Sequence, residues 1–159
     1  LDEYISWRPD PDAMAVDAFS QDWSTFDLPY LFPPFSVIAR TLAQARRMTI
    51  QRALLIIPMW TTQPWWPAAL RMAVAQPVIL PRYCLWLPQD VERQHPMKTL
   101  RMAALCISGD LSKSKDYQKT LFKLSAAHGE RAPMHNIGAI SRDGANFVLS
   151  GKLMNFALL

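Results

Sequence analysis

Glycine is missing from the first 108 residues; Gly109, Gly129, Gly138, Gly144 and Gly151 are the only five. That long first part therefore has no Gly-bearing loop to bring backbone close to a cofactor or phosphate. Cysteine is scarce too. Cys84 and Cys106 lie far apart without ligand spacing, which speaks against a thiolate metal site and fits reduced, buried thiols in an intracellular protein. His95, His128 and His135 have no paired His or Cys at ligand spacing, so they read as surface residues and no metal is expected. No run of 18 or more apolar residues occurs, so no membrane span is expected. The chain opens on Leu1 without a charged stretch and apolar core, which reads as an internal segment and not a signal peptide.

What is present is a chain of 159 residues, half of them hydrophobic, enough for one domain with a real core. All six tryptophans fall before residue 90. The composition divides the chain into a Trp- and Pro-rich part, residues 1–90, and a lighter helical linker and C-terminal hairpin, residues 91–159. The formal charge of +4 leans toward polyanionic partners such as nucleic acid. The expected location is intracellular, cytoplasmic or nuclear, or both.

The element pattern centres on Pro29 to Leu70. Pro29 to Phe32 reads as a short strand stopped by Pro33-Pro34. Ser36 is the expected N-cap of a helix with Val37, Ile38, Leu42 and Ala45 inward and Arg40, Gln44 and Arg47 outward. Ala53 to Ile57 is apolar without alternation, as a parallel strand covered on both faces should be. A second helix is expected after Pro64, from Trp65 to Ala73. Val78 to Leu80 and Cys84 to Leu87 read as a hairpin or two edge strands. Upstream, Tyr4 to Trp7 is a short strand and Ala13 to Phe19 a strand or helical turn. Downstream, Met97 to Ile107 reads as a helix ended by Ser108-Gly109. Lys115 to Ala127 reads as an amphipathic helix stopped at Gly129, and Ile137 to Phe156 as a hairpin around Asp143-Gly144.

Five blocks carry a resemblance over most of the chain: Tyr4-Ile5-Ser6-Trp7-Arg8-Pro9-Asp10-Pro11-Asp12-Ala13, Asp17-Ala18-Phe19, Phe32-Pro33-Pro34-Phe35-Ser36, Ala53-Leu54-Leu55-Ile56-Ile57-Pro58 and Gln63-Pro64-Trp65-Trp66-Pro67. In this order they resemble the polyproteins of DIRS-type, tyrosine-recombinase retrotransposons. The resemblance implies a segment after the reverse transcriptase and ribonuclease H that leads toward the recombinase. Its implied partners are nucleic acid, DNA or RNA–DNA, and those neighbouring domains. The parent polyprotein would be an RNA-directed DNA polymerase, ribonuclease H and recombinase.

That region is in turn similar to phage-type DNA adenine methyltransferases. The similarity implies an α/β fold: a truncated Rossmann-like sheet with flanking helices and a loosely packed helical and hairpin tail. It also implies S-adenosylmethionine as cofactor if methyl transfer is retained, and no cofactor otherwise. In such enzymes an Asp or Asn, two prolines and an aromatic activate the target amine and stack on a flipped base. Phe32 stands in the Asp/Asn place, with Pro33, Pro34 and Phe35 matching. Asp17 stands where an acid contacts the cofactor adenine. Phe32 cannot accept a hydrogen bond, and the glycine loop lies upstream of Leu1 if anywhere, so the expectation is a non-catalytic nucleic-acid-handling or scaffold module. The alternative is a DNA amine methyltransferase truncated at its cofactor loop.

The remaining candidates have two readings each. Trp60, Trp65 and Trp66 form either a base-stacking platform or packed core. Asp10, Asp12, Asp17 and Asp22 suggest a two-metal site, although Asp10 and Asp12 are more simply turn and cap residues. Ser112 and Lys115 match S-x-x-K without supporting motifs. Arg40, Arg46 and Arg47, with Arg52, Arg71, Lys113, Lys115, Lys119 and Lys123, can track phosphates or line solvated helix faces. Arg40, Arg46, Arg47, Trp65 and Trp66 are the nucleic-acid candidates.

Overall fold

A computed structural model of the chain describes residues 3–81, 86–87, 90–94, 100–123 and 145–158. The proline-rich start forms a small arm in which β1 (Ile5–Ser6) runs parallel to β2 (Ala15–Val16). Asp10 ties the connecting loop, accepting from the Asp12 N–H at 3.1 Å and the Tyr4 hydroxyl at 2.9 Å. That hydrogen bond to Asp10 raises the Tyr4 phenol above its ordinary range. Two 3-10 turns follow, Ala18–Ser20 and Trp23–Thr25, capped by Asp17 and Asp22.

β3 (Tyr30–Leu31) stops at Pro33-Pro34. The chain then passes through a 3-10 turn, Phe35–Val37, into α1 (Ile38–Arg47) and returns in β4 (Ala53–Pro58), parallel to β3 with Tyr30 beside Leu54. The expected crossover unit is present, with two differences. Ser36 lies inside the 3-10 turn, and α1 begins without a side-chain cap. Gln44 is buried, not solvated: the arm covers that side of α1, and the Gln44 amide donates to the Phe19 carbonyl at 3.1 Å.

α1 ends in a Schellman motif. The Thr49 N–H donates to the Arg46 carbonyl and the Ile50 N–H to the Ala45 carbonyl. In a glycine-free stretch the left-handed position falls to Thr49, at φ 50°. β4 is buried on both faces. Ala53, Leu55 and Ile57 pack with Ile38, Leu42 and Ala45 of α1, while Leu54 and Ile56 join Leu100, Met102 and Trp60.

α2 (Trp66–Met72) carries Pro67 in its first turn, where the missing N–H costs nothing. Among the described residues β5 (Val78–Leu80) does not pair with β6 (Trp86–Leu87), which pairs with β7 (Asp90–Gln94); Cys84 and Leu85 lie outside the described residues. The largest correction concerns the helix expected from Met97 to Ile107. Residues Met102–Ile107 are β8, lying antiparallel between β4 and β5. Met, Ala and Leu favour a helix locally, but β8 satisfies its backbone on both edges and buries Ala103, Leu105 and Ile107 completely. Tertiary pairing overrides propensity here.

After Gly109 comes α3 (Leu111–Thr120), earlier than the helix expected from Lys115. Its start is set by Asp110, whose carboxylate accepts from the Ser112 N–H at 2.8 Å and hydroxyl at 2.7 Å. The expected stop at Gly129 and the Asp143-Gly144 turn lie outside the described residues. β9 (Phe122–Lys123) pairs antiparallel with β11 (Lys152–Leu158), which also forms a hairpin with β10 (Ala145–Leu149). The hairpin turns at Ser150-Gly151, with φ 51° and 72°, a pair of left-handed residues suited to a two-residue turn.

The main sheet has the order β10-β11-β5-β8-β4-β3, with β9 also on β11. It is a mixed α/β sheet: β3 and β4 are parallel, β5 and β11 are parallel, and β8 opposes both of its neighbours. A doubly wound sheet keeps its central strands parallel, so the central antiparallel β8 departs from that pattern. The C-terminal part, expected to pack loosely, supplies much of the core. Leu105, Ile107 and Met154 are fully buried, and β8 and β11 join strands from before residue 90 in one sheet. Among the described residues, no helix is long and apolar enough to cross a membrane.

Candidate functional site

The parallel strands β3 and β4 give the sheet two unlike ends. At their C-terminal end lie the Pro33-Pro34 corner and the loop after β4. Phe35 meets Trp60 edge-on, ring centroids 4.9 Å apart, and both are half-buried. Phe32 is 57% exposed. Trp65 is half-buried, and Trp66 is core: it stacks on Phe156 at 6.0 Å and meets Phe147 edge-on at 5.2 Å. Stacking of Trp66 on a base is therefore closed off in this fold, and its indole N–H has no hydrogen-bond partner among the described residues. The exposed ring at this end belongs to Phe32, with Phe35, Trp60 and Trp65 partly reachable.

The residues matched to methyl transfer are not brought together into a working set. Phe32 presents a hydrocarbon ring where an amine-activating oxygen is required. Asp17 is exposed at φ 56°, and its carboxylate accepts from the Phe19 N–H at 3.0 Å as the cap of a 3-10 turn. Its backbone N–H donates to Ser6 in the arm. These residues do not fit S-adenosylmethionine: the Asp17 carboxylate is taken up by its own turn and Phe32 offers no polar atom. Among the described residues, no three His, Cys, Asp or Glu side chains gather to hold a metal ion. Asp10, Asp17 and Asp22 each serve a turn or cap. Ser24 hydrogen bonds hold the Asp22 carboxyl below its usual range.

The opposite end collects cations. Arg46 and Arg47 are exposed at the end of α1, a ten-residue helix with three arginines and no acid; Arg40, also exposed, lies in its first turn, nearer the Pro33-Pro34 corner. Arg40 sits over the Phe19 ring at 4.0 Å, and Arg47 donates to Gln44 at 2.8 Å. Arg46 and Arg47 form the last turn. The chain then needs only the Schellman turn to reach Arg52, exposed at the start of β4.

The end of β8 brings α3 to the same place. Ser108 donates to the Ile50 carbonyl at 3.0 Å, and the Gly109 N–H donates to the same carbonyl at 2.9 Å. A Cβ on Gly109 would overlap the Ala45 carbonyl oxygen and stand 2.8 Å from the Ile50 nitrogen, so only glycine permits this approach. Lys113, in the first turn of α3, then donates to Gln51 at 2.6 Å. Ser112 of the S-x-x-K match is engaged with Asp110, which itself sits below its usual range through the Ser112 hydrogen bonds and, to a smaller extent, the Lys113 charge. Among the described residues the one ion pair is Lys119 with Asp116, at 2.7 Å, so Arg46, Arg47, Arg52 and Lys113 are not neutralised by a carboxylate of that set.

Sequence reading named these cations singly but could not gather them, because their meeting depends on β8 being a strand that delivers α3 to the end of α1. It also missed Tyr117, half-buried on α3 beside Cys106 and Arg52. Cys106 itself is a free, half-buried thiol. No family model matches the chain, and no curated protein and no solved structure matches it either.

Proposed function

We propose that this chain is a non-catalytic nucleic-acid-binding module of a DIRS-type retrotransposon polyprotein, working beside its ribonuclease H and recombinase. The retroelement origin rests on the five sequence blocks. The binding role rests on one observation above all: Arg46, Arg47, Arg52 and Lys113 stand on elements that meet at one end of the sheet, held together by Gly109. Fixed cations on packed elements suit phosphate contact, since their positions are set before the ligand arrives.

The test is fluorescence anisotropy of a labelled oligonucleotide with the whole chain, between 50 and 200 mM salt. Affinity should fall steeply with salt, and the slope should shrink by roughly one phosphate contact for each cation replaced by alanine. Binding that ignores salt would reject the proposal. One observation favours the methyltransferase alternative: the Pro33-Pro34 corner lies at the C-terminal ends of two parallel strands, where open α/β sheets commonly take ligands. Calorimetric titration of S-adenosylmethionine into this chain, and into one lengthened upstream, decides it. No heat of binding in either removes the alternative.

A further inference from the structure

Next to the converged cations the surface dips into an open cleft of about 520 Å³. Arg52 and Lys113 line it, Val74, Ala75 and Cys106 form an apolar wall, and Tyr117 lies among the lining residues. The cleft offers two positive charges beside an apolar wall and one aromatic ring. Asp116, also on its lining, is paired with Lys119 at 2.7 Å.

We propose that this cleft takes one nucleotide of a single-stranded nucleic acid, with its phosphate at Arg52 and Lys113 and its base against the Val74–Ala75 wall and the Tyr117 ring. The inference rests on the nucleic-acid reading above and adds to it a preference for single strands. Arg46 and Arg47 lead the backbone toward Arg52, so phosphates can follow the end of α1 and the strand can lodge one base beyond it. A duplex keeps its bases paired and stacked and can use only the cations; an unpaired base can enter the cleft. Base–aromatic stacking is tolerant of sequence, so no strong base preference is expected. Burial also raises the Tyr117 phenol above its ordinary value, keeping it a neutral hydroxyl at physiological pH.

The experiment compares a labelled oligo-dT with a duplex of equal length on the whole chain, its Tyr117→Phe and Tyr117→Ala variants, and an Arg46→Ala/Arg47→Ala double variant. Tyr117→Ala should weaken single-strand binding by roughly 5- to 100-fold, the size of one lost base stack, and leave duplex binding unchanged. Tyr117→Phe should keep the single-strand affinity. Tyr117 also touches the core. A second readout therefore leaves it intact: alkylation of Cys106 in a Cys84→Ser chain, with and without saturating oligo-dT, should slow severalfold in the complex. If Cys106 is not protected, or Tyr117→Ala binds single strands as before while the arginine variant weakens both ligands, the cleft inference is wrong and the binding module stands. If the unaltered chain binds neither ligand, both fail together.

Discussion

The two ends of the sheet differ in what their side chains can do. The Pro33-Pro34 end offers shape with little polarity: a strand, a rigid corner, a helix and aromatic rings, with the hydrocarbon ring of Phe32 exposed. At the other end the chain has kept charge on a rigid frame. Arg46 and Arg47 close α1, Arg52 stands just before β4, and Lys113 lies in the first turn of α3. Family resemblance draws attention to the first end; the three-dimensional arrangement favours the second. A strand-end corner can serve a fold alone; the cations stand on elements whose meeting is set by the packing of Gly109.

Breaking the aromatic end should cost the fold most. Trp66→Ala removes a side chain that is 3% exposed and holds the Phe147–Phe156 hairpin against α2, and a loss of about 3–5 kcal/mol in urea unfolding is expected. Trp66→Phe keeps most of that contact and removes the unpartnered indole N–H, so its loss should be much smaller. Next in size is Gly109→Ala, about 1–3 kcal/mol, because the added Cβ meets backbone atoms that cannot move alone. Unlike Trp66→Ala, it should also weaken nucleic-acid binding beyond its effect on folding, since it separates α3 from the end of α1.

Thr49→Gly should act in the opposite direction, on stability alone. A β-branched residue at φ 50° is strained, and glycine there should stabilise the chain by ~1 kcal/mol in the same unfolding measurement. The smallest effect expected is on acidification. The Asp110 carboxyl sits below its ordinary value of 3.8 because of Ser112, so its share of stability is complete above that value and is lost as pH falls through the lower folded value. Amide exchange at the start of α3 should rise in that acidic window before the core opens, and Asp110→Asn should blunt the change.

The local parts of this fold were legible. Pro33-Pro34 fixes a strand end, and the unbroken apolar run Ala53 to Ile57 announces a strand covered on both sides; both lie where their residues put them. The apolar run Met102-Ala103-Ala104-Leu105-Cys106-Ile107 was misleading because its residue types favour a helix, and only the partners β4 and β5, distant in sequence, make it a strand. Gln44 was misplaced for a similar reason: its burial depends on the Phe19 carbonyl of an arm that no helical periodicity can report. The candidate site followed the same rule. Arg46 and Arg47 were visible as a basic helix end, but their company with Lys113 required the long-range contact that Gly109 makes possible.

The most direct test of the account compares the salt dependence of oligonucleotide binding in two variants of the whole chain. One replaces Arg46, Arg47, Arg52 and Lys113 by alanine; the other replaces Phe32 and Trp60. The first should flatten the salt slope by about four phosphate contacts and lose most of the affinity, while the second keeps the slope. The account would be contradicted by the reverse: an unchanged slope without the four cations, and binding lost with Phe32 and Trp60.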